Sequence, residues 1–143
     1  MLPRTITVMA ACGLLGTGAV AQGVTPWVPA ENEPPPKLTI DQPLPGPLEH
    51  GAAVIQYHTE NFRILPEVGE AAVGVSPRIG HLHVTFDSLP WHWADAGTSN
   101  TIVVADLPPG KHSLKIELAD PTHRVITGQT VTFTVPGAAP HSH

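Results

Sequence analysis

Sulfur is scarce in this chain, and its position decides what the scarcity excludes. Of 143 residues one is cysteine and two are methionine, and Met1, Met9 and Cys12 all precede Ala21. Met1-Leu2-Pro3-Arg4, an apolar run from Ile6 to Leu15 and the small-residue signature Ala19-Val20-Ala21 read as a secretory signal peptide, residues 1–21, cut before Gln22. Cys12 behind Met9-Ala10-Ala11 leaves lipidation as the alternative. Cleavage after Ala21 leaves no thiol for a disulfide, although an exported compartment permits one, and no soft sulfur ligand for a dedicated Cu(I) site. The apolar run is also too short for a membrane span.

Basic residues are few as well. Lysine and arginine total seven against twelve acidic residues, for a formal charge of −5. Nucleic acid is therefore not an expected partner, because phosphate binding needs a dense basic patch. No polybasic or amphipathic segment suggests a membrane surface. Long apolar helical periodicity is missing too, and one domain is expected at this length.

Proline, histidine and short β-type runs fill the rest. Residues 22–48 carry Pro34-Pro35-Pro36 and Pro43-Leu44-Pro45-Gly46-Pro47, which favour extended, solvated backbone and predict a linker, with Lys37-Leu38-Thr39-Ile40 as a first edge strand within it. Residues 49–136 read as a β domain. Ala52 to Thr59, Gly80 to Asp87, Thr101 to Val104, Lys111 to Leu118 and Val131 to Val135 alternate or run apolar between turn residues. About seven short strands predict an all-β, immunoglobulin-like sandwich. Residues 137–143 form a small polar tail expected to be disordered.

The chemistry-bearing residues are histidines. In Gly80-His81-Leu82-His83-Val84-Thr85-Phe86, His81 and His83 share one strand face while Leu82, Val84 and Phe86 share the other. Burying the apolar set is worth about 1.5–3 kcal/mol per large side chain, so the imidazoles are expected outward or in a groove. Two imidazoles on one rigid face are half of a transition-metal site. The following segment, Pro90-Trp91-His92-Trp93-Ala94-Asp95, supplies His92, Asp95 or the nearby Asp87 as further ligands, and His58 joins if its strand neighbours this one. His112 shares a face with Leu114, Ile116 and Leu118 and is expected to pack inward at a corner. His123 follows Asp120-Pro121 as a loop residue able to approach the same end. Trp91 and Trp93 offer either an aromatic platform or cover for the core.

Catalytic templates are missing: there is no Gly-x-Ser-x-Gly elbow, no phosphate-cradling glycine loop and no His-Glu-x-x-His. The sequence does not point to an enzyme.

Ser76-Pro77-Arg78-Ile79-Gly80-His81-Leu82-His83-Val84-Thr85-Phe86, continuing through Pro90-Trp91-His92-Trp93-Ala94-Asp95-Ala96, and Leu107-Pro108-Pro109-Gly110-Lys111-His112 continuing to Thr122-His123, resemble a family of small exported bacterial domains of unknown function. The resemblance covers about Leu48 to Val135 and implies a secreted, periplasmic, immunoglobulin-like module with no activity to carry over. The Pro-Pro-Gly-Lys-His run is similar to a second uncharacterised, histidine-bearing exported family. Periplasmic copper carriers are similar in outline, but their methionine-rich stretches are lacking here.

Two functions follow as expectations. One is binding of a divalent transition metal, Cu(II) or Zn(II), through His81, His83, His92 and Asp95. The other is a non-catalytic module that holds a periplasmic protein or a glycan on the Trp91/Trp93 surface.

Overall fold

The computed structural model describes residues 33–137 and the backbone of Val28 and Pro29. The segment expected to be a signal peptide, and the tail beyond Gly137, lie outside the described residues. The elements in order are β1 (Val28–Pro29), β2 (Lys37–Ile40), α1 (Pro45–Glu49), β3 (Ala53–Glu60), β4 (Arg63–Ile64), a 3-10 turn (Glu70–Ala72), β5 (Val75–Ser76), β6 (Ile79–Phe86), β7 (Trp93–Asp95), β8 (Thr101–Val104), β9 (Gly110–Ala119) and β10 (Val125–Val135).

Two sheets face each other. One has the order β2-β3-β8; the other runs β10-β9-β6, with β4 and β7 pairing different stretches of β6 on the side away from β9. This is the immunoglobulin-like sandwich expected from the strand pattern. Its core is the inward half of each alternation: Ile55 and Tyr57 from one sheet meet Leu82, Val84, Leu114, Ile116 and Leu118 from the other. Lys115 and Glu117 take the opposite face of β9.

Within the proline-rich stretch the expected edge strand Lys37–Ile40 forms as β2. β2 pairs with β3, and Leu38 enters the core because it stands opposite Thr59 in that register. Upstream, Asn61 donates to the Pro35 carbonyl at 3.2 Å, and the Arg78 backbone N–H donates to the Glu33 carboxylate at 3.1 Å. Carbonyls of a proline-rich chain are free acceptors, so such a segment can dock by accepting rather than donating.

His112 packs as expected at the corner. Its ring lies between Phe86 and Phe133. Nδ1 stands 2.8 Å from Asp87 Oδ2 and Nε2 stands 2.9 Å from the Pro108 carbonyl. Neither partner can donate, so both ring nitrogens must, which is the protonated form. The hydrogen bonds from Asp87 and the Pro108 carbonyl raise the His112 pKa, against burial, which lowers it. For Asp87 burial pushes the other way, yet the hydrogen bonds of His112 and Ser113 leave it lowered. A raised histidine pKa gives stability that is complete below the unfolded value of about 6.5 and is lost as pH rises through the folded value. Thermal unfolding should therefore show that His112→Phe removes a loss of stability that the wild type suffers above about pH 6.5; an unchanged slope would refute the assignment.

Candidate metal centre

β6 is dry on both faces. Leu82 and Val84 are 0% exposed in the sandwich core, as the alternation requires, but His81 and His83 on the outer face are only 3% and 4% exposed. The expected groove is nearly closed, because the β9–β10 turn folds back over it. In the β6–β9 register His81 stands opposite Ala119, and Asp120 to Arg124 follow directly.

Asp120 builds that turn. Its Oδ1 accepts from the Thr122 N–H at 2.8 Å, the Thr122 hydroxyl at 2.6 Å and the Arg124 N–H at 3.1 Å, while Oδ2 accepts from Arg124 Nε at 3.0 Å. The main chain closes it with His123 N–H to the Asp120 carbonyl and Asp120 N–H to the Arg124 carbonyl, both 2.9 Å. Burial would raise the Asp120 pKa, but the bonds from Thr122 and Arg124 leave it lowered, so the carboxylate stays charged. Pro121 is buried, and its carbonyl accepts from Gly69 N–H at 2.8 Å, tying the turn to the β4–β5 connection. His123, at φ 66°, is thereby aimed back at β6.

Three ring nitrogens meet there. His81 Nε2 lies 3.1 Å from His83 Nε2 and 2.9 Å from His123 Nδ1, and His83 Nε2 lies 3.3 Å from His123 Nδ1. Hydrogen bonding alone cannot satisfy this triangle. An imidazole nitrogen carries either a proton or a lone pair. One proton serves two edges and leaves lone pair against lone pair on the third; two protons face each other on one edge. A single cation at the centre satisfies all three. With metal–nitrogen bonds of about 2.0–2.1 Å, these edges place an ion about 1 Å off the plane of the nitrogens, with bond angles of about 100°. That is a three-ligand tripod, one short of a tetrahedral set.

Electrostatics suit the same occupant. Burial first, then the neighbouring His123, lowers the His81 pKa against the pull of Asp120. For His83, burial leads, followed by His92, His81 and His123, with Glu117 opposing. Both rings are held neutral at neutral pH, and a neutral ring has a lone pair to give.

The other expected ligands separate. His92 is exposed, and its ring lies tilted against His83 with centroids 4.3 Å apart; it adjoins the triad without being among the mutually close donors. Asp95 pairs with Leu82 across β6 and β7, whereas Ala94 pairs with His83. Directly opposed antiparallel residues share a face, so Asp95 is on the core side, where it helps raise the pKa of Tyr57 after burial does. Its Oδ1 accepts from Gly97 N–H at 2.7 Å. Asp95 is thus on the wrong face to join the imidazoles. Asp87 is engaged by His112 and Ser113. His58 is in the other sheet, 3.6 Å from Asp41. Trp93 packs against the core and Trp91 is 56% exposed.

His123 is the ligand that strand periodicity does not select. Its sequence signal is Asp-Pro-Thr-His immediately after a strand: a turn whose aspartate caps successive N–H groups and sends the following side chain backwards.

No curated protein and no solved structure matches the chain. Among the described residues no helix is long and apolar enough to cross a membrane. The profile of a family of unknown function, DUF6130, matches residues 1–143, and the chain belongs to that family.

Proposed function

We propose that this protein is an exported domain that binds one divalent transition-metal ion, Zn(II) or Cu(II), through His81, His83 and His123. The supporting observation is the triangle of ring nitrogens, 2.9 to 3.3 Å on a side, which no distribution of protons satisfies and one cation does. Three imidazoles suit these borderline ions better than the hard, oxygen-seeking Ca(II) and Mg(II). The leader-like residues 1–21 support an exported location.

Calorimetric titration with each ion tests this. His141→Ser and His143→Ser should be present throughout, to remove the tail imidazoles. One equivalent should bind, and His123→Ala should abolish that binding; retention of the full affinity by His123→Ala would refute the proposal.

Asp120 acts through the turn and not on the ion. Groups that orient metal ligands cost about 10–100-fold in affinity when removed. Asp120→Asn keeps an acceptor but loses the charge that holds Arg124, so about a tenfold loss is expected. Asp120→Ala should lose more, and calorimetry on both variants would show the order.

A further inference from the structure

The three ligands are all neutral, so a divalent ion among them keeps its full charge. Buried uncompensated charge is costly, and three ligands are one short of a tetrahedral set. The carboxylates closest to completing it are engaged. Both Asp120 oxygens are taken by Thr122 and Arg124. Glu117, opposite His83 on β9, is ion-paired with Lys115 at 2.5 Å. Asp95 lies across the sheet, on Leu82's face. The mutually close donors comprise the three imidazoles and no carboxylate.

The exposed residues show where the missing ligand comes from. His123 and His92 are exposed while His81 and His83 are not, so solvent reaches the triad beside the β9–β10 turn and the β6–β7 connection. We infer that the metal ion held by His81, His83 and His123 takes its fourth ligand from outside the protein, as an exchangeable water that a small monodentate anion replaces, with His92 on the rim. This rests on the metal reading above and extends it from a closed structural site to a ligand-accepting one. The exchange is a substitution: the water leaves with its lone pair, the anion donates one of its own, and no electrons move between oxidation states. Closed structural sites fill all four positions with protein, whereas sites that act on ligands keep one open.

Co(II) and azide separate the two readings. The mature chain carrying His141→Ser and His143→Ser is loaded with Co(II), its visible absorption is recorded, and azide is then titrated in. The expected result is an absorption band unlike that of the aqueous ion, absent from His123→Ala, which azide shifts along a saturating one-site curve. In His92→Ala the shift should persist. A Co(II) band that needs His123 but ignores azide would overturn the open position while sparing the metal site. An azide response gained only on His92→Ala would overturn it too, by making His92 the fourth ligand. A band that survives His123→Ala, or no band at all, would remove the metal reading and this inference with it.

Discussion

Replacing His83 with leucine is expected to lower Zn(II) affinity by at least about a hundredfold while leaving the metal-free fold as stable as the wild type or more so. Removing a group that merely orients a ligand already costs about 10–100-fold, so removing a ligand must cost more. His83 is also the ring most surrounded by others, with His81, His123 and His92 all against it. The stability half of the prediction comes from the same geometry. Without an ion, the triangle has one edge that no proton satisfies, inside a site where polar groups are poorly solvated. Replacing a frustrated buried polar group with an apolar one of similar volume is often neutral or stabilising. The wild type should regain the advantage when the ion is added, because a ligand that binds the folded state alone stabilises it by mass action. Thermal unfolding of both proteins with and without Zn(II) reads all four values. A variant that is strongly destabilised without metal would make His83 a packing residue.

Gly80→Ala is expected to give the largest loss of stability among single-methyl additions to β6, about 3 kcal/mol on the scale of overpacked cores. A Cβ at Gly80 would press into the Ala119 carbonyl and lie 2.7 Å from Phe62 Cζ. Neither can yield easily. Ala119 is fixed by its pairing with His81 and leads into the Asp120 turn, and Phe62 is part of the core. Gly80 is also where β4 joins β6, with Ile64 opposite it. A glycine inside a strand often marks such a close approach. The midpoint of urea unfolding should fall at unchanged slope. Because the methyl pushes on the strand end that carries the turn, metal affinity should weaken with it.

The fold was largely legible because strand alternation reports burial directly. Leu82 and Val84, and Leu114, Ile116 and Leu118, fall where their period places them. What alternation does not report is whether the outer face is covered. His81 and His83 have the parity of solvent-facing residues and are buried nonetheless, because a turn from another part of the chain lies over them. The same parity could have separated His92 from Asp95: in an extended segment three residues apart means opposite faces, and the His92 ring lies beside His83 while Asp95 pairs with Leu82. His123 was harder to read. Its contribution depends on the β6–β9 register and on the Asp120 turn together, and register between strands joined by so long a connection is fixed by core packing, not by local sequence. In the proline-rich stretch the edge strand Lys37–Ile40 was legible and forms as β2, whereas docking through the Pro35 carbonyl and the Glu33 carboxylate leaves no periodic signal.

X-ray absorption at the zinc edge, on protein carrying His141→Ser and His143→Ser and loaded with one equivalent of Zn(II), tests the three-histidine centre most directly. Three imidazole nitrogens at about 2.0–2.1 Å, with one light non-histidine scatterer completing the shell, are predicted. A shell with fewer than three imidazoles, or one that is unaltered by His123→Ala, would contradict the account.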